Sequence, residues 1–188
     1  ELGYQTGTGV MIGLPGQRIG QLADDLLFFR DFDADMIGMG PFVEHNESPL
    51  FNLFRQLWTD SERFEMTRKM VAVLRLMMPD INIAATTASE ALVPRSREIL
   101  IASGANVIMP NITPLRYQGH YDLYGNKPNA HYDVNGEFKV FSGRINKLGY
   151  LLTPEEWGDS QHFHKKFRGI LSETETRTLK SCNPGNLN

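Results

Sequence analysis

Met11, Met36 and Met109 each stand in a short apolar run, and glycine recurs beside the first two at alternate positions. Alternate side chains of an extended strand share a face, so Met36 falls with Gly38 and Gly40, Met11 with Gly13, and Met109 with Val107 and Asn111. Glycine leaves main chain bare, so such a face is a hollow with a soft thioether wall, suited to a flat ligand lying against backbone. On this reading the three methionines sit at equivalent depths on their strands. The competing reading is ordinary core filling, in which methionine adapts to irregular space.

Thr86 and Thr87 fall where a strand should end, and at a strand terminus adjacent hydroxyls and backbone N–H groups can converge on an anion. They can equally cap the turn that follows. Tyr117, Tyr121 and Tyr124 fall at i, i+4 and i+7, one face of a helical segment, where phenol hydroxyls can meet a ligand or the rings can simply pack. His45, between Glu44 and Glu47 on a long loop, is a candidate acid-base or metal group, and equally a surface histidine. His162 and His164 form one weak metal-type spacing.

These residues need elements to hold them. Gly9 to Leu14 is short, apolar and ended by glycine, as a strand buried on both faces would be. Ile19, Leu22, Ala23, Leu26, Leu27 and Phe29 follow at helical spacing. Asp35 to Phe42 reads as a second strand, Ile81 to Ala85 as a third and Ala105 to Met109 as a fourth. Between them Glu62 to Met78 and Pro94 to Ser103 read as helices, the first ended by Pro79 and the second followed by Gly104. Strands alternating with helices imply βαβ units and a parallel sheet. A further amphipathic segment is expected near Phe141 to Leu148, and from Ser172 the chain is polar and reads as a disordered tail.

The turn after the first strand, Gly13-Leu14-Pro15-Gly16-Gln17, resembles a phosphate-holding loop in composition. It lacks the G-x-G-x-x-G spacing and places proline where a helix-entry amide is wanted, which disfavours a nicotinamide enzyme. No nucleophile elbow or Walker loop is present. With 188 residues and 41% hydrophobic content the chain can bury one sizeable core. A net charge of −3 without like-charge runs argues against nucleic acid or an anionic membrane as partner, and no stretch is long enough to cross a bilayer. One cysteine, Cys182, excludes an internal disulfide framework, points to a reducing compartment, and excludes an iron-sulfur or zinc thiolate site built from this chain alone. The chain opens on Glu1 with neither initiator methionine nor signal segment, as a piece of a longer protein would.

Taken in order, Met11 to Gln17, Asp35 to Phe42 with His45 and Ser48-Pro49-Leu50, Ala85-Thr86-Thr87-Ala88, Val93-Pro94, Arg97-Glu98, Gly104 to Asn111, Thr113-Pro114 and the three tyrosines make a specific series. The series resembles the carboxyl-terminal half of radical S-adenosylmethionine (SAM) enzymes of the biotin synthase-like group, most closely the maturases of FeFe hydrogenase. The resemblance spans roughly residues 4 to 127. It implies an α/β fold, about four βα units of a (βα)8 TIM barrel over 1–127, with an irregular extension over 128–171 and the tail over 172–188. By resemblance, Gly13, Gly38 and Gly40 lie on the SAM side, and Met11, Met36, Thr86, Thr87, Met109, Tyr121 and Tyr124 line the substrate cavity, the threonines as anion contacts.

The activity implied for the whole protein is reductive cleavage of SAM on a 4Fe-4S cluster to a 5′-deoxyadenosyl radical. That radical then acts on an iron-carbonyl-cyanide-cysteine precursor of the hydrogenase active site. Implied partners are that organometallic small molecule, the other hydrogenase maturases and a missing amino-terminal half-barrel. The implied location is cytoplasm, or an anaerobic organelle or plastid in a eukaryote. The family's C-x-x-x-C-x-x-C loop and its acidic and arginine SAM contacts are absent here, so no catalytic or metal residue is expected in this half, which by itself should be inactive. Two other readings stay open: another biotin synthase-like enzyme, of the biotin or methylornithine synthase type, and a non-catalytic half-barrel serving as a binding or scaffold module.

Overall fold

The computed structural model describes residues 3–45, 47–49, 58–110, 113–118 and 134–166. Three strands, β1 (Gly7–Ile12), β2 (Met36–Pro41) and β3 (Asn82–Ala85), form a parallel sheet in the order β1-β2-β3. Each crossover carries helix: α1 (Ile19–Asp31) joins β1 to β2, and α2 (Asp60–Met77) lies between β2 and β3. The α/β class and parallel sheet are therefore as the alternating pattern implies.

β1 starts and stops two residues earlier than the apolar run suggests, because Gly13 adopts φ +85° and turns the chain out of the sheet. The expected fourth strand pairs with β3 at a single bridge, Ala84 to Val107, supported by Ala85 N–H donating to the Val107 carbonyl at 2.8 Å and Val107 N–H donating to that of Ile83 at 3.1 Å. The helix expected from Pro94 divides into α3 (Ala88–Leu92) and α4 (Ser96–Ala102), since Val93-Pro94 cannot continue a helix and Arg95 takes the left-handed φ of +60°. Beyond a single turn, α5 (Leu115–Gln118), comes α6 (Val134–Lys147).

The core lies on one face of the sheet. Ile12, Ile37, Met39, Ile83 and Ala85 meet Leu22, Leu26 and Phe29 of α1 and Phe64, Met70, Val71 and Leu74 of α2. Phe141 and Ile145 of α6 join the same core beside Leu100 and Ile101, so the helix beyond residue 128 packs as an integral part of the sheet's helical layer. Its docking is fixed by charge as well: the Arg97 guanidinium lies 4.6 Å over the Phe141 ring, and Arg144 pairs with buried Glu98 at 2.7 Å. Among the described residues no helix is long and apolar enough to cross a membrane. The polar tail from Ser172 lies outside the described residues.

Candidate functional site

The other face of the sheet is bare over Gly7, Gly9 and Met11, but Ala84 on it is buried and Ala88, at the start of α3, stands 3.6 Å from where a Gly40 Cβ would lie. The rows of this face follow from the register. Gly7, Met36 and Asn82 form the lowest row, Gly9, Gly38, Ala84 and Val107 the middle one, and Met11 pairs with Gly40 at the carboxyl edge. Thr86 stands over Gly40 in that top row, and Met109 follows the bridge at Val107 by two residues, beyond any strand. Met11 is 55% exposed and Met109 52%, large apolar side chains on a bare surface.

Met36 does not share their depth. It pairs with Gly7, four residues below Gly40, and at roughly 3.3 Å per residue lies about 13 Å from the top row. The expected set of three methionines at one level is thus two at the carboxyl edge and one near the floor, because register depends on where pairing begins and not on position within an apolar run.

The glycines separate into three cases. A Cβ on Gly9 would lie 2.0 Å from the Gly38 carbonyl oxygen, so glycine there lets β1 and β2 approach. A Cβ on Gly40 would stand 2.9 Å from the Thr86 hydroxyl, so that space is already used. A Cβ on Gly38 would meet nothing within 4 Å, and its φ is not positive, so neither packing nor backbone conformation demands glycine there. Gly13, expected on the face of Met11, is instead buried with its absent Cβ directed at the Arg63 side chain, 2.5 Å from Cγ. Its positive φ breaks the alternation that would have put it on the bare face.

The turn after β1 is internally satisfied. Gln17 Oε1 accepts from the N–H groups of Gly13 at 2.6 Å and Leu14 at 3.2 Å, while Gln17 Nε2 donates to the Met11 carbonyl at 3.1 Å. The amides that would hold a phosphate are occupied by the chain's own carboxamide, and the carbonyl of Met11 is tied at the same time.

Thr86 Oγ1 lies 3.2 Å from both the Met39 carbonyl and Ser89 Oγ, which lock its side chain across the top row. Thr87 is the solvent-facing member, in the first turn toward α3. The two therefore sit together at the end of β3 but differ in orientation. Tyr117 is exposed with the Arg116 guanidinium 4.6 Å over its ring, whereas Tyr121, Tyr124 and Asn111 lie outside the described residues.

Arg63 was hidden to sequence reasoning. Its guanidinium is buried, donating to the Phe42 carbonyl at 2.7 Å and Glu44 Oε1 at 2.9 Å and pairing with Asp60. Its stem fills the space beside Gly13, so one side chain ties the ends of β1 and β2 to the start of α2. Spacing alone gives only its face: Arg63 continues the buried stripe of Thr67, Met70 and Leu74 by one turn toward the helix start, without naming its partners. Glu44 is thereby committed to Arg63, and His45 Nδ1 accepts from the Glu47 N–H at 3.2 Å. His162 pairs with Asp33 at 2.7 Å, and no group of three His, Cys, Asp or Glu side chains able to hold a metal occurs among the described residues.

Parallel strands alternating with helices define an α/β protein, a class in which ligand sites, where present, lie along the carboxyl edge of the sheet. No family model matches the chain. Over 127 residues it is 52% identical to the [FeFe] hydrogenase maturase subunit HydE of Thermotoga maritima, a match covering 68% of this chain. The maturase resemblance carried by the motif series is therefore shown by sequence identity, and the chain matches 35% of that protein's length.

Proposed function

We propose that this chain forms the carboxyl-terminal half of a radical SAM (βα)8 barrel and that its bare face lines the SAM side and substrate cavity of an FeFe-hydrogenase maturase. The observation that carries the reading is Gly38, a glycine in the middle row of the parallel sheet with open space where its Cβ would be, which the packing of the described residues does not require. Parallel sheets are normally covered on both faces, and a closed barrel covers the inner one with its own opposite wall.

The residues present fit SAM in part. Gly38 offers main chain against which a flat group can lie, and Met11 and Met109 supply an apolar rim above it. Gly40 contributes less room than its type suggests, because Thr86 stands over it. The residues present do not fit an iron-sulfur cluster: the sole cysteine is Cys182, and no ligating trio occurs among the described residues. In this reading the cluster ligands belong to another part of the intact protein. When bound, the cluster would supply the electron that cleaves SAM to the 5′-deoxyadenosyl radical.

This chain's own residues would bind, orient and exclude water. In the closed barrel the side chains of Met11 and Met109, exposed here, would help keep solvent from the top row, which radical chemistry needs. Thr86, locked by Met39 and Ser89, holds the strand end in place. Thr87, facing outward beside it, presents its side chain where an anionic substrate group would arrive. The substrate in this reading is an iron-carbonyl-cyanide-cysteine precursor, and the other maturases are its functional partners.

The test is reassembly. This chain is co-expressed with the part of the Thermotoga maturase outside the match, reconstituted with iron and sulfide, and given SAM and a strong reductant. The pair is expected to form 5′-deoxyadenosine and the chain alone none; product from the chain alone, or none from a pair that assembles, would overturn the proposal. The outer edge of β1, which pairs with no strand among the described residues, also suits a scaffold that dimerises through its edges, and sedimentation of the chain alone as a discrete soluble dimer would favour that second reading.

A further inference from the structure

At the amino ends of the strands, residues 158–166 cross the sheet and are held by polar contacts almost throughout. Asn82 Nδ2 donates to the Gly158 carbonyl at 2.6 Å, Gln5 binds Asp159 and accepts the Ser160 N–H at 3.3 Å, and the His162 N–H reaches the Asp80 carbonyl at 3.0 Å. His162 Nε2 lies 2.7 Å from Asp33 Oδ1, Lys165 pairs with Asp80, and Lys166 Nζ lies 2.9 Å from Asp33 Oδ2 and 3.1 Å from Asp35 Oδ1. Ser160 is the one fully buried residue of the segment. Asn82 belongs to the lowest row of the bare face, so the Gly158 carbonyl closes that row from below.

We propose that residues 158–166 are a detachable ionic strap, which closes the amino end of the sheet and releases as a unit when its charge pairing is weakened, while the core stays folded. Three facts carry it. Phe163, part-buried, is the only large apolar side chain of the segment, so apolar burial is confined to one residue and polar contacts supply the rest of the hold. Its cations face a cluster of three carboxylates, Asp33, Asp35 and Asp80, a complementarity concentrated in one place. The pairs to Asp33 and Asp80 are partly exposed, each weak alone and open to screening, while Lys166 also reaches the buried Asp35, so they hold by acting together. Segments with few buried apolar contacts and many exposed hydrogen bonds are those that open below the global unfolding threshold.

Amide hydrogen exchange on the full chain tests this, comparing 158–166 with the core amides of β3. The parent is measured at low salt and at about 1 M salt, where screening falls to roughly 3 Å. Asp33→Asn is measured at low salt; Asp33 sits at φ +57°, a conformation asparagine tolerates well, so the change removes charge and keeps the turn. Salt and the substitution are each expected to speed exchange across 158–166 about tenfold or more, together, with β3 unchanged. Exchange in 158–166 that follows β3, or that ignores both salt and the substitution, overturns the proposal. Should Asp33→Asn also speed β3, the salt series on the parent decides alone.

Discussion

At the scale of single residues, Gly9 and Gly38 look alike in sequence and differ in physics. Gly9→Ala forces a Cβ onto the Gly38 carbonyl and is expected to destabilise the chain by about 2 kcal/mol or more, read as a lowered denaturant midpoint. Gly38→Ala places its methyl in open space on a strand and is expected to leave stability unchanged or raise it by about 0.5 kcal/mol. Arg63→Leu strands Glu44 and the Phe42 carbonyl and is expected to cost about 3 kcal/mol in the same measurement. Residue types on the bare face were legible from alternation, which placed Met36, Gly38 and Gly40 together. Gly13 was not, because its positive φ is a property of the turn, and Arg63 was not, because a charged residue on an apolar stripe only makes sense once its partners from β2 are in place.

At the scale of elements, the alternating strands and helices were legible and their depths were not. Apolar runs mark where a strand can be; the pairing of Gly7 with Met36 decides which residues share a row. The helix near Phe141 was also legible as amphipathic, while its membership of the core was not, since nothing local names Leu100 and Ile101 as its neighbours. Phe141→Ala is expected to destabilise the whole chain by about 3 kcal/mol, in one cooperative transition, because α6 shares the core with the strands. The strap has its own pH window. Burial opposes ionisation of Asp33, yet hydrogen bonds from Lys166 and His162 hold its carboxyl below the ordinary range; burial likewise opposes the charge on Lys166, yet Asp33 and Asp35 hold its ammonium above the ordinary value. The Asp33 contribution is present above the ordinary carboxylate range and lost as pH falls through the lowered value. That of Lys166 is present below the ordinary lysine value and lost as pH rises through the raised one. Exchange protection of 158–166 is therefore expected to hold between those limits and fall at both ends.

At the scale of the molecule, α1 and α2 among the described residues pack on one face of the sheet, while Gly7, Gly9 and Met11 leave much of the other exposed. In the proposed barrel a second wall covers that face, and the outer edge of β1 and the bridge at Val107 are where its strands would join. The chain spans 35% of the length of the maturase it matches. The central claim is that the bare face around Gly38 is a SAM-side wall. It is tested most directly by SAM affinity in the reassembled protein, comparing the parent with Gly38→Val, each checked for unchanged melting. The account predicts that affinity falls at least about tenfold, or about 1.4 kcal/mol. Equal affinity in a normally folded Gly38→Val protein would contradict it.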